Sequence, residues 1–90
     1  MHTRYYLVKG RVQGVSFRYY IQKRAIALNI SGTVQNLFDG DVEIYAQGTP
    51  ENLEAFEKHV QSGPPLARVT GIQKEILELP RDFSGFDILY

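Results

Sequence analysis

The stretch Gly10–Arg18 contains the residues whose types and spacing are best suited to chemistry. Gly10 and Gly14 stand four residues apart and let the backbone turn sharply, so successive main-chain N–H groups can converge on one point. A helix predicted to begin at about Ser16 or Phe17 adds its unpaired first-turn N–H groups and the positive end of its dipole. The sequence therefore predicts a concave site for an anion.

Arg18 falls in the first turn of that helix, where a cation is disfavoured by some tenths of a kcal/mol. We therefore expect an anion to compensate it, because a guanidinium group binds two oxygens of a phosphate or carboxylate at once. A surface salt bridge to one of the chain's carboxylates is the alternative. Gly14 is followed by Val15 and Ser16 with no lysine, which excludes the G-x-x-x-x-G-K-[ST] nucleotide loop.

Length and composition indicate one globular domain, residues 1–90. Ten basic and ten acidic residues cancel, so no overall field favours nucleic acid or an anionic membrane surface. The chain has no cysteine, and its two histidines, His2 and His59, are far apart, so we expect no metal site. No apolar run approaches membrane-spanning length. A monomeric, cytoplasmic protein is expected.

Hydrophobic periodicity predicts five strands and two helices. The strands are Tyr5–Val12, Thr33–Phe38, Val42–Gln47, Ala67–Leu79 and Phe86–Tyr90, and the helices are Phe17–Leu28 and a second one from Pro50 to about Gln61. Two strand–helix–strand units joined by a hairpin predict an α+β fold. This is the ferredoxin-like split βαβ sandwich: βαββαβ plus a short C-terminal strand, a mostly antiparallel sheet with two helices on one face.

Local signals refine these boundaries. Ser16 is the expected N-cap of the first helix and Asn29 its end. Asp39–Gly40 predicts a tight hairpin with a type I′ turn, although Asp41 could also belong to that turn. We expect a bend or bulge near Gly71 and a connector from Pro80 to Gly85.

Two motifs resemble the signatures of a known family. Val8–Arg18 is similar to the first signature of the acylphosphatase family, with every restricted position filled, and Gly32–Asn36 is similar to the second. Phe86, Ile88 and Tyr90 resemble the family's closing strand. Thr33 departs from the pattern, because the family usually has an aromatic residue there; we expect this to affect substrate preference and local stability.

The resemblance implies hydrolysis of the carboxyl–phosphate anhydride of small acyl phosphates, without metal or cofactor. It implies Arg18 and Asn36 as catalytic residues, with Arg18 holding the phosphoryl group and Asn36 orienting the attacking water. Phosphoryl oxygens would bind to the residues Arg11, Val12, Gln13, Gly14, Val15, Ser16, Phe17 and Arg18. Inorganic phosphate would then be both product and inhibitor. Neither motif contains a histidine or carboxylate that could act as base, so a phosphate oxygen of the substrate is the expected proton acceptor.

Two other functions fit the same pattern less well. One is a non-catalytic domain that binds acyl phosphate or another anion within a larger regulatory protein; the absence of a linker in the chain favours the enzyme. The other is an RNA-binding module, with Tyr5 and Tyr45 as stacking residues, which zero net charge disfavours. His59 and the acidic residues Glu51, Glu54 and Glu57 are expected to be solvated.

Overall fold

Seven regular elements follow one another in the computed structural model, which describes residues 1–78 and 82–90. They are β1 (His2–Arg11), α1 (Phe17–Ala27), β2 (Ser31–Asn36), β3 (Val42–Gly48), α2 (Pro50–Ser62), β4 (Arg68–Leu77) and β5 (Phe86–Leu89). The predicted order of elements is confirmed.

The strands form one sheet in the order β4-β1-β3-β2-β5. β1 pairs antiparallel with β3 and β4, and β2 pairs antiparallel with β3. Only the pairing of β2 with β5 is parallel among the described strands. The α+β ferredoxin-like split βαβ sandwich is thus confirmed, with both helices on one face of a mostly antiparallel sheet. We call this face the helix face and the opposite one the open face.

The core lies between the helices and the sheet. α1 buries Phe17, Ile21 and Ala25, and α2 buries Leu53, Phe56 and Val60, as their helical spacing predicts. From the sheet, alternate residues such as Tyr6, Val8 and Ile44 meet them, each with no exposed surface. Thr49 caps α2, because its side chain accepts a hydrogen bond from the Asn52 main-chain N–H at 3.2 Å.

Glu57 contradicts the prediction of a solvated acidic face. Its side chain is only 17% exposed and lies 3.4 Å from Arg4 Nη1 and 3.2 Å from Lys74 Nζ. Tyr6 donates its hydroxyl to Glu57 Oε1 at 3.0 Å, and burial raises the pKa of Tyr6. The sequence placed Glu57 on the polar side of α2, but it could not show that the cations beside Glu57 come from β1 and β4, which are distant in sequence.

The β2–β3 hairpin differs from the predicted tight turn. β2 ends at Asn36, which pairs with Val42, so five residues separate the strands. Leu37 N–H donates to Asp41 O at 2.8 Å and Gly40 N–H to Leu37 O at 3.2 Å, while Gly40 has φ 99°. A type I′ turn requires a positive φ at both of its central residues, and Asp39 has no positive φ. The turn therefore extends from Leu37 to Asp41, which are hydrogen-bonded to each other, and Gly40 adopts the left-handed backbone within it.

Two other local predictions are confirmed. Asn29 follows α1 with φ 55°, the left-handed backbone that ends many helices. The β1–β4 register shifts between Lys9 and Gly10, which pair with Gly71 and Val69, so β4 carries a bulge there. The predicted end of β4 at Leu79 and the start of the connector at Pro80 lie outside the described residues. In the part of the chain that is described, no helix is long and apolar enough to cross a membrane.

Candidate functional site

The loop between β1 and α1 is held by its apolar side chains. Val12 and Phe17 are each 1% exposed and Val15 is 8% exposed, so all three belong to the core. Gly14 and Ser16, between these anchors, are exposed. The alternation turns the side chains inward and leaves the loop backbone at the surface.

The loop backbone also has the geometry of an anion cradle. Gly14 has φ 72° and Ser16 has φ 62°, whereas Val15 between them has no positive φ. Alternation of this kind aims successive N–H groups at one point. Within residues 1–78 and 82–90, no hydrogen bond to a protein acceptor is made by the main-chain N–H groups of residues 13–18. These donors are free to bind a ligand.

Ser16 occupies the N-cap position of α1, but it does not cap the helix with its side chain. An N-cap residue normally has extended backbone, from which its oxygen reaches the second or third N–H of the helix. The left-handed backbone of Ser16 (φ 62°, ψ 25°) departs from that geometry. The prediction of Ser16 as a capping residue was wrong in this respect, and the consequence is that the first-turn N–H groups have no partner in residues 1–78 and 82–90.

Arg18 is the second residue of α1 and is half-buried. Its Cζ lies 4.9 Å from the centre of the Tyr90 ring, and the Tyr90 hydroxyl lies 3.3 Å from that of Tyr19. In the described part of the chain Arg18 forms no salt bridge. The alternative of a surface ion pair is therefore not observed, and an aromatic ring supports the guanidinium instead.

Asn36 ends β2 on the helix face. Its side-chain Oδ1 is buried and has no hydrogen-bond partner among the described residues. A buried carbonyl oxygen without a donor costs free energy, on the order of 1–3 kcal/mol. Such an atom calls for a donor from a ligand or a water molecule.

These groups meet at one cleft of about 220 Å³. Its lining residues are Val12, Gly14, Ser16, Phe17, Arg18, Tyr19 and Asn36. Of the predicted residues, Val12, Gly14, Ser16, Phe17 and Arg18 of the loop thus lie together with Asn36, although the loop and Asn36 are distant in sequence. Tyr19 was not predicted as a site residue; its position directly after Arg18, in the first turn of α1, is the signal that could have identified it.

Three predicted binding residues do not line the cleft, and Val15 is one of them, because its side chain is buried in the core. Arg11 is the last residue of β1, exposed and paired with Arg68. The Gln13 side chain turns away from the cleft, because its Nε2 donates to Leu37 O at 2.7 Å and to Asp41 O at 2.9 Å. Neither residue lines the cleft.

A second cavity, of about 280 Å³, is larger but has little chemistry to offer. It lies between the end of α1 and the β2–β5 edge, and is lined by Ile26, Asn29, Ile30, Ser31, Gly85 and Phe86. None of these side chains is charged. The smaller cleft, with its arginine and unpaired donors, is the candidate site. Elsewhere in the described residues, no three His, Asp or Glu side chains are close enough to hold a metal ion.

The open face carries the two tyrosines considered for RNA binding. The Tyr5 and Tyr45 rings lie 5.0 Å apart, and Phe83 lies 6.3 Å from Tyr45. Tyr5 donates its hydroxyl to Glu43 at 2.8 Å, so an acidic group adjoins the rings. Thr33 pairs with Tyr45 in the sheet, and strand alternation places Thr33 on this open face, away from Asn36.

The fold and the cleft define a small α+β domain with a polar site at the edge of a ferredoxin-like sheet. A family model described as Acylphosphatase matches residues 4–88, and the chain belongs to the acylphosphatase family. It is 43% identical over 84 residues to the acylphosphatase of Vibrio cholerae, covering 93% of this chain and 92% of that protein.

Two further proteins that resemble this chain are also acylphosphatases. The chain is 52% identical over 67 residues to the acylphosphatase of Thermus thermophilus, which covers 74% of this chain and 76% of that protein. The crystal structure of acylphosphatase from Bacillus subtilis superposes with a TM-score of 0.97 at 38% identity and covers 100% of both chains. Acylphosphatases are hydrolases that act on acyl phosphates.

Proposed function

We propose that this chain hydrolyses small acyl phosphates to a carboxylate and inorganic phosphate at the cleft between the β1–α1 loop and Asn36. One observation carries the proposal. Around one 220 Å³ cleft lie main-chain donors, a guanidinium and a buried carbonyl oxygen that have no acceptor, carboxylate or donor, respectively, among the described residues. That combination suits a phosphoryl group and a water molecule side by side.

The phosphoryl group is the part of the substrate that the loop binds. Its oxygens accept hydrogen bonds from the N–H groups of residues 13–18 and from the Arg18 guanidinium. Because these donors are fixed before the substrate arrives, they stabilise charge as it redistributes during in-line attack. Arg18 stays protonated throughout.

Asn36 positions the nucleophile. A water molecule donates one hydrogen bond to the unpaired Oδ1 of Asn36 and directs its lone pair at phosphorus. The new P–O bond forms as the bond between phosphorus and the acyl oxygen breaks. The bond electrons leave with the carboxylate, and the proton of the water passes to a phosphate oxygen. No protein acid is required, since a carboxylate leaves without being protonated, and no protein base is required, since the phosphate oxygen accepts the proton of the water.

The experiment is turnover of benzoyl phosphate and acetyl phosphate with EDTA present. Arg18→Ala should lower kcat by about 100-fold or more, and Asn36→Ala by about 100-fold, both with the fold retained. Full activity in Arg18→Ala would refute the assignment of the site, and loss of activity in EDTA would refute a metal-independent reaction.

The chain offers matched controls for both substitutions. Arg24 also lies on α1 and stacks on a tyrosine, with its Cζ 4.8 Å from the centre of the Tyr20 ring. Arg24→Ala removes an equivalent contact outside the cleft and should leave turnover unchanged. Asn52→Ala, on α2, serves in the same way for Asn36.

The non-catalytic alternative predicts phosphate binding without turnover in the same assay. The relative from Vibrio cholerae is matched over 92% of its length, so that enzyme consists of little more than this domain, which favours catalysis. We further propose that the chain acts as a single domain and a cytoplasmic monomer, without nucleic acid or membrane as partner.

A further inference from the structure

Behind the cleft, the side chain of Gln13 links the β1–α1 loop to the β2–β3 turn. Its Nε2 has two N–H donors, and one reaches Leu37 O at 2.7 Å while the other reaches Asp41 O at 2.9 Å. Gln13 immediately precedes Gly14 of the cradle, and Leu37 immediately follows Asn36. One amide group therefore connects the loop that carries the cradle with the turn that follows Asn36.

The two carbonyl groups that Gln13 binds are the ends of the β2–β3 turn. Leu37 N–H donates to Asp41 O at 2.8 Å and Gly40 N–H to Leu37 O at 3.2 Å. Each carbonyl oxygen thus accepts one bond from the turn and a second from Gln13. Loss of the Gln13 amide would leave both oxygens with a donor, so the turn itself should persist.

β1 holds the same turn from its other side. Lys9 Nζ lies 2.7 Å from Asp41 Oδ2, and Asp41 is 8% exposed. This hydrogen bond raises the pKa of Lys9. The turn is therefore fixed to the strand below it, and Gln13 adds the link to the cradle. Within the described residues, no other side-chain hydrogen bond connects residues 12–16 with residues 36–41.

We propose that Gln13 is a positioning residue, which sets the distance between the phosphate cradle and the Asn36 carboxamide. This inference depends on the proposed function, because it concerns the same cleft. The apolar anchors Val12, Val15 and Phe17 fix the cradle to the core. They form no hydrogen bond to the turn with their side chains, so they do not set its distance from the cradle. Since attack requires water and phosphorus at a defined separation, a shift of about 1 Å costs on the order of 100-fold in rate.

The first test compares Gln13→Ala with wild type and with Gln47→Ala. Gln47 also donates its Nε2, to Thr3 Oγ1 at 3.0 Å, but lies at the end of β3 far from the turn. We expect Gln13→Ala to lower kcat by about 10-fold or more while KM rises by less than about 3-fold. Gln47→Ala should keep the wild-type kcat. Equal kcat in all three proteins would overturn the inference and leave the proposed function intact.

Gln13→Glu separates positioning from a general loss of structure. Its carboxylate has nearly the same shape but faces two carbonyl oxygens without a donor, so it should be at least as slow as Gln13→Ala at neutral pH. We expect this carboxyl group to have a pKa at or above the usual Glu value of about 4.3. Once it is protonated, it regains one O–H donor. The kcat of Gln13→Glu relative to wild type should therefore rise on acidification, while that of Gln13→Ala stays flat. A flat ratio for Gln13→Glu would contradict the proposal.

A measurement without substrate covers the case in which wild type itself shows no turnover. In amide NMR relaxation, Gln13→Ala should increase mobility in residues 14–16 and 36–41 together, and Gln47→Ala should not. If both segments keep their wild-type order parameters in Gln13→Ala, the link does not exist, whatever the chain hydrolyses.

Discussion

At the level of single residues, the candidate site is built by side chains that do no chemistry. Val12, Val15 and Phe17 are buried, and their burial turns the N–H groups between them outward. Each buried apolar side chain of this size stabilises the fold by about 1.5–3 kcal/mol. Hydrophobic free energy therefore holds in place a set of N–H donors that have no acceptor among the described residues.

At Gly14, the shape of the cradle depends on backbone conformation alone. The φ of Gly14 is 72°, and a Cβ there would meet nothing within 4 Å, so Gly14→Ala introduces strain without a clash. We expect the free energy of unfolding to fall by about 1 kcal/mol and phosphate affinity to fall several-fold, measured by competitive inhibition. Gly85→Ala is the control, since Gly85 has φ 90° and equally open surroundings. Equal phosphate affinity in both variants would contradict the cradle.

Asn36→Asp tests whether this side chain faces the phosphate. The substitution keeps an acceptor oxygen but adds a negative charge, which repels an anion at close range. We expect the inhibition constant for phosphate to rise more in Asn36→Asp than in Asn36→Ala, with the difference reduced at high ionic strength. If the two variants bind phosphate equally well, the carboxamide lies too far from the phosphoryl group.

The resemblance to the two family signatures implied Arg18 and Asn36, and both residues line the cleft. The sequence did not predict the contacts of Gln13 or the stacking of Arg18 on Tyr90. Those partners lie 24 or more residues away along the chain, and their side-chain directions depend on how the elements pack. Local pattern contains no information about that packing.

At the level of elements, the β2–β3 hairpin shows where short-range signals mislead. Asp39–Gly40 is a strong signal for a two-residue turn, yet the turn extends from Leu37 to Asp41. Contacts outside the hairpin explain the difference, because Asp41 binds Lys9 of β1 and the turn carbonyls bind Gln13. Tertiary bonds therefore select the longer loop.

Tyr6 links β1 to α2, and its ionisation should limit stability at high pH. Its pKa is raised in the folded state, first by burial, although the Arg4 hydrogen bond opposes the shift. A raised pKa means that the folded state retains the proton longer, so the contribution to stability is complete below pH about 10 and is lost as pH rises further. Urea unfolding should show this decline above pH 10.

Tyr6→Phe is the corresponding variant. It should be less stable than wild type at pH 7, because Glu57 loses a donor, but its stability should fall less steeply above pH 10. Tyr5, whose pKa burial also raises, would retain its own part of the alkaline decline. If the free energy of unfolding falls as steeply above pH 10 in Tyr6→Phe as in wild type, the decline does not come from the ionisation of Tyr6.

For the whole molecule, strand order explains why the two motifs meet. β1 and β2 both pair antiparallel with β3, so they run in the same direction and their C-terminal ends share one edge of the sheet. The loop after β1 and Asn36 at the end of β2 lie at that edge. The strand–helix–strand–strand–helix–strand order predicted this arrangement, because few topologies satisfy right-handed crossovers.

Binding at this edge should stabilise the whole chain. A ligand that binds only the folded state, at about ten times its Kd, adds roughly 1.4 kcal/mol, which for a domain of this size raises Tm by about 5 °C or more. Inorganic phosphate should raise Tm of wild type and Arg24→Ala by that amount. Arg18→Ala should show a much smaller increase; an increase equal to that of wild type would place the phosphate elsewhere.

Titration of the chain with inorganic phosphate, followed by the main-chain amide resonances, tests the central claim most directly. The account predicts that the largest and saturable shifts occur at Gly14, Val15, Ser16, Phe17 and Arg18, whose N–H groups have no protein acceptor in the described structure. Shifts concentrated on other residues, with Gly14 to Arg18 unchanged, would contradict it.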